Sequence, residues 1–129
     1  MPHLTVHALE ADLAGRESAL AESLTDAVVD VYGEWARELV TIRMVGMPTH
    51  RSFVAGRALD AVAPSVTFGI NEAAYARPDA DIIVANLIAR VTDAVASIFG
   101  KATRAGIRVE LVATPAGRSG VGGVVASIR

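Results

Sequence analysis

Residues 24–33 read Leu-Thr-Asp-Ala-Val-Val-Asp-Val-Tyr-Gly, and residues 91–100 read Val-Thr-Asp-Ala-Val-Ala-Ser-Ile-Phe-Gly. At this offset of 67 the correspondence runs on without a gap: Arg37 falls on Arg104, Val45 on Val112, Pro48 on Pro115, Arg51-Ser52 on Arg118-Ser119, Val54 on Val121 and Gly56 on Gly123. A repeat of this span marks two copies of one structural unit. In a chain of 129 residues, each copy is too short to bury its own apolar faces, so the copies must share a core. The reading is a single domain over 1–129 with pseudo-repeat halves 1–60 and 64–129.

Periodicity changes twice within each copy. His3 to Leu9 is a short β-prone run with partial alternation. Residues 16–32 place Ala19, Leu20, Leu24, Ala27, Val28 and Val31 at helical spacings, with Gly33 as the stop. Leu39 to Met47 is a second strand, and Pro48 opens a turn before a short hairpin at 52–55. The second copy repeats this: strand 65–70, helix 79–99 on Ile82, Ile83, Leu87, Val91, Val95 and Ile98, strand 107–113, then the glycine-rich run 117–123. Residues 57–63 join the copies. The passage from first strand to helix is about five residues longer in the second copy, and long βα connections commonly carry function. A strand-helix-strand unit of this length returns its second strand parallel to the first by a right-handed crossover. The fold class is therefore α/β (α+β): tandem β-α-β units in a four-stranded mixed sheet with two helices on one face. Leu4, Val6, Ile42, Met44, Val66, Val109 and Leu111 lead us to expect that the other sheet face is also apolar and is covered by further copies of the chain.

Composition narrows the function classes. Half of the residues are apolar (52%), which excludes a disordered chain, and 12 basic against 14 acidic side chains leave a net charge of −2, so a nucleic-acid partner is not expected. No uninterrupted apolar run approaches membrane-spanning length and no signal-like segment opens the chain, which points to a cytoplasmic protein with no membrane partner. Cysteine is absent, and His3, His7 and His50 are too scattered for a metal cluster. No metal and no cofactor is expected. The run Gly117 to Gly123 lacks the following helix and Lys-Ser/Thr of a phosphate loop.

The opening Pro2-His3-Leu4-Thr5-Val6-His7-Ala8-Leu9-Glu10 resembles the first strand of the tautomerase superfamily, as typified by 4-oxalocrotonate tautomerase. The closing Gly117-Arg118-Ser119-Gly120-Val121-Gly122-Gly123-Val124-Val125-Ala126-Ser127 is similar to that superfamily's glycine-rich hairpin. Length and repeat place the chain with the fused, double-length forms, similar to malonate semialdehyde decarboxylase and cis-3-chloroacrylic acid dehalogenase. The resemblance implies the tautomerase fold, a homotrimer, a small-molecule substrate, and catalysis by Pro2. Removal of Met1 would leave the proline as a secondary amine. A chain-terminal amine titrates near 7.7 to 8.0, and desolvation or neighbouring cations lower that value. Such an amine suits general acid-base chemistry, in keto-enol isomerisation or in hydration, dehalogenation or decarboxylation. Pro64 opens the second copy, but its nitrogen is an amide, so one active site per chain is expected.

The resemblance also implies arginines that grip a substrate carboxylate. Arg108 matches the superfamily arginine on the second strand, with Thr41 at the same place in the first copy, and Arg77 lies in the long βα connection. Tyr75 in that connection and Phe53 in the first hairpin are candidate substrate-binding residues, and Trp35 is a candidate pocket wall. The alternative is a tautomerase-fold protein without proline chemistry, a small-molecule binding module or a non-covalent cyclase that retains Met1.

Overall fold

The computed structural model describes residues 2–125. The first copy runs β1 (His3–Leu9), α1 (Glu10–Leu13), α2 (Glu17–Tyr32), a 3₁₀ segment Glu34–Leu39, β2 (Thr41–Met47), and a hairpin of β3 (Phe53–Val54) and β4 (Arg57–Ala58). The second runs β5 (Ser65–Asn71), a 3₁₀ segment Glu72–Ala76, α3 (Ala80–Phe99), a 3₁₀ segment Lys101–Gly106, β6 (Arg108–Thr114), and a hairpin of β7 (Gly120–Val121) and β8 (Val124–Val125). The expected elements are present with ends shifted by one or two residues. One difference is larger: Arg57-Ala58 belong to the first hairpin, which the Leu59 N–H to Ser52 carbonyl bond closes at 2.8 Å. The join between copies therefore begins after β4.

The four main strands form one mixed sheet in the order β2-β1-β5-β6. Each β-α-β crossover is parallel, and the two copies meet through antiparallel β1 and β5, with Thr5 opposite Thr67. First strands are offset by 62 and second strands by 67, which fixes the pseudo-twofold axis at the Thr5–Thr67 pair. The same axis passes between the two antiparallel helices where Ala27 and Ala94, both buried, correspond at offset 67. Ser23 of one helix reaches Ala94 and Ser97 of the other at 3.4 Å. Small residues at this crossing let the helices approach closely. Ala27→Leu should overpack it and destabilise the fold by about 1–3 kcal/mol, measured as a lowered urea midpoint at unchanged slope.

The repeated residues do the same work twice. Gly33 and Gly100 end their helices with φ of 107° and 104°, a backbone region that favours glycine, and donate back to Val29 and Ala96. Thr25 and Thr92 hydroxyls bond the carbonyl one turn back, at 2.8 and 2.7 Å. Asp26 pairs with Arg37, and Asp93 with Arg104, tying each helix to its 3₁₀ segment.

Period-2 alternation sends Leu4, Val6, Ala8, Val66, Phe68 and Ile70 into the core beneath α2 and α3, where Leu20, Leu24, Val28, Leu87, Val91 and Val95 meet them. Ile42, Met44, Val109 and Leu111 pack against the same cluster. The expectation of an apolar open face is therefore corrected: every residue that suggested it points to the helices. The open face instead carries His3, Thr5, His7, Thr41, Arg43, Ser65, Thr67, Arg108 and Glu110, with Val45 and Val112 as its exposed apolar positions on the edge strands.

The membrane expectation also needs a qualification. Helix α3 is long and apolar enough to cross a bilayer by length and composition, with mean hydropathy 1.7. Here it lies on the sheet, burying Leu87, Val91 and Val95 and exposing Asp81, Arg90 and Asp93. Ile82, read as a core position, is on the exposed side.

Candidate active site

Pro2 heads the central strand β1, and its carbonyl accepts from the Thr41 N–H at 3.2 Å. Beside it opens a cavity of about 240 Å³ lined by Pro2, Tyr32, Trp35, Asn71, Arg77 and a set of aliphatic side chains. Three parts of the chain build it. The C-terminal end of α2 and its 3₁₀ continuation supply Tyr32 and Trp35, whose rings meet edge-on at 6.2 Å between centroids. The Trp35 indole N–H holds the Tyr32 carbonyl at 2.7 Å, and the indole folds over Gly33. The C-terminal end of β5 supplies Ile70 and Asn71. The connection after it supplies Ala73, Ala74 and Arg77, with the Asn71 side chain accepting from the Ala73 N–H at 2.9 Å to start the 3₁₀ turn.

Between β5 and the body of α3 the offset between copies rises by five, so this connection is five residues longer than the one between β1 and α2, and it forms one cavity wall. The pseudo-equivalent place in the other copy is filled: Pro64 is buried, and Arg16 lies over the Phe99 ring at 5.8 Å. Phe99 is the counterpart of Tyr32, so each copy's strand-to-helix connection packs on the other copy's helix end.

Chemically the cavity is apolar with a few polar groups. Burial pushes the Tyr32 phenol above its ordinary value, opposed by the Arg77 guanidinium, with Tyr75 adding a smaller upward push, so the hydroxyl is protonated at neutral pH. Arg77 donates from Nε and Nη2 to the two carboxylate oxygens of Asp79, at 3.1 and 3.2 Å. That guanidinium holds the Asp79 carboxyl below its usual range. His3, next to Pro2, lies across Gly69 of β5, where any Cβ would strike the imidazole. Among the described residues no cluster of His, Cys, Asp or Glu suits a metal ion.

Of the residues singled out from sequence, Pro2, Arg77 and Trp35 share this cavity. Tyr75 stands on the 3₁₀ wall, partly exposed and outside the lining. Arg108 is not brought to Pro2 within the chain. It pairs with Ser65, which pairs with His7, so it lies beside the buried Pro64, about 16 Å along the strand direction from Pro2. Thr41 occupies the matching place beside Pro2. Phe53 lies on a hairpin that follows the end of β2 remote from Pro2, and its ring is 60% exposed, so within one chain it does not line the cavity. Met1, Ala126 and Ser127, which entered the resemblance and the processing argument, lie outside the described residues. Sequence reasoning missed Tyr32. The available signal was the exchange of a phenol for the phenyl of Phe99 at equivalent helix ends.

A duplicated β-α-β sheet with a cavity at the head of one central strand is the fused form of the tautomerase fold, and solved structures bear this out. A fused 4-OT forming an asymmetric trimer matches at TM-score 0.80 and 24% identity, over 95% of this chain and 94% of that one. N1, a member of the cis-3-chloroacrylic acid dehalogenase family, matches at 0.77 and 18%, over 95% and 82%. Pt0534, inactivated by 2-oxo-3-pentynoate, matches at 0.73 and 22%, over 96% and 94%. No sequence-family model and no curated protein matches the chain. The chain has the tautomerase-superfamily fold.

Proposed function

We propose that the protein is a cofactor-independent, tautomerase-type enzyme whose catalytic group is the amine of Pro2, freed by removal of Met1. The supporting observation is the cavity that Pro2 shares with Tyr32 and Arg77, paired with the burial of its internal counterpart Pro64. In the neutral amine, the nitrogen lone pair takes a proton from the carbon beside a carbonyl. The C–H electron pair becomes the C=C bond of an enolate, and the carbonyl π pair moves to oxygen. The ammonium formed on Pro2 exchanges its proton with water and then protonates the enolate, at oxygen to complete keto-enol isomerisation or at carbon to return the carbonyl form with a solvent proton in the α-position, with no net oxidation in either case. The apolar walls favour the uncharged amine, and the protonated Tyr32 phenol supplies a hydrogen bond to the oxygen as charge builds there. The fused 4-OT structures are trimers, and we infer a homotrimer here too, with edge strands β2 and β6 and their exposed hairpins as the contact regions.

The test combines intact mass with proton NMR in D₂O, following α-proton exchange of phenylacetaldehyde and of phenylpyruvate. A chain lighter by one methionine that exchanges either compound supports the reading. A chain retaining Met1 and exchanging neither overturns it and leaves the binding module or cyclase. Tyr32→Phe should lower kcat about tenfold, the worth of one hydrogen bond to developing charge. Because burial raises the Tyr32 pKa, its donor form persists as pH rises. Wild-type activity should show no alkaline fall below the ordinary phenol range near 10.

A further inference from the structure

Asp79 is the N-cap residue of α3, where an aspartate ordinarily turns its carboxylate toward the free N–H groups of the first turn. It makes no such bond. Both oxygens face Arg77 in a two-pronged contact at 3.1 and 3.2 Å. A guanidinium recognises a substrate carboxylate through this same paired geometry. Among the described residues, the one cationic side chain lining the cavity is therefore already engaged by a carboxylate two residues away, and a substrate carboxylate would have to displace it.

The walls favour a different ligand. Tyr32 and Trp35 present aromatic surface, and Ile70, Ala73, Ala74 and Ile83 present aliphatic surface. A cavity of roughly 150 Å³ suffices to hold benzene. The 240 Å³ here accommodates one ring with a short side chain. Building on the reading of this cavity as the reaction site, we propose that Asp79 sets its charge selectivity: by clasping Arg77 it turns the site toward uncharged aryl carbonyl compounds and away from carboxylates. Asp79 acts through Arg77 and is a positioning residue.

Trp35 is the single tryptophan of the chain and is 65% exposed in the cavity wall, so its emission reports occupancy without turnover. Phenylacetamide and phenylacetate have nearly the same shape and differ in charge. In wild-type protein the amide should bind at least as tightly as the carboxylate. Asp79→Asn should tighten phenylacetate about fivefold and move phenylacetamide less than about twofold, on the scale of an exposed ion pair. Asp79→Glu should restore the wild-type order. A purely structural role for Asp79 would shift both ligands alike, and that result overturns the proposal. So does a wild-type preference for phenylacetate, or no saturable change in emission with either compound. Loss of proton exchange with this charge discrimination intact would instead count against the Pro2 chemistry alone.

Discussion

Pro2→Ala should lower kcat/KM for α-proton exchange by about a hundredfold, within the range that a positioned general base contributes, and leave the urea midpoint nearly unchanged. Pro2 is only half-buried and contributes one carbonyl acceptor to the sheet, which alanine also supplies. The loss is incomplete for a chemical reason: methionine is also removed ahead of alanine, so a terminal amine persists. It is primary, however, and its backbone is no longer fixed near φ of −65° by the ring. Acetylating the wild-type terminus removes the lone pair altogether and should abolish exchange. The pH profile provides a second check. On the proposed mechanism the neutral amine is the active form, so kcat/KM should rise with pH and level off above the pKa of the terminus. A Pro2→Ala chain that turns over like the wild type would remove proline from the mechanism and leave the fold untouched.

The fold was legible in the sequence because its repeat is built of residues with local structural duties. Thr25 and Thr92, Asp26 and Asp93, Arg37 and Arg104, Gly33 and Gly100 shape each helix and bind it to its adjoining 3₁₀ segment, in both copies alike. Duties satisfied within a few residues leave a pattern that the sequence displays directly. The site is where the copies depart from each other, and there the pattern thins. The longer strand-to-helix connection of the second copy was visible as added length. Tyr32 was not, because its place in the cavity depends on Arg77 and on a wall contributed by the opposite copy. Arg108 was placed correctly on its strand, yet antiparallel pairing of β1 with β5 sets it beside Pro64. An apolar count likewise cannot say which way a strand's residues face. Ile42 and Met44, taken as signs of a second buried face, pack beneath the helices.

Removing residues 72–76 should reduce exchange to below about one per cent of wild type while the chain still folds. The first copy makes its strand-to-helix passage with five residues fewer between β1 and the body of α2. The shortened second copy therefore has a tested path, the one taken from Leu9 through α1 into α2. What it loses is the wall: Ala73 and Ala74 go outright, and Arg77 is drawn away from Tyr32. Pro2 is then left facing water, which favours the charged form of its amine and works against the base that the proposed mechanism needs. Far-UV circular dichroism and the urea transition report the fold, and NMR exchange reports the site. Should the shortened chain fail to fold, Ala73→Trp tests the same point by filling the space: it should raise KM for phenylacetaldehyde at least tenfold through steric exclusion, with the amine left in place. Full exchange in either variant would mean that the amine works without a walled cavity. Duplication would then have supplied a second copy for stability alone. Loss of exchange in a folded chain would mean that the second copy gave up its own proline chemistry and became the chamber for the first.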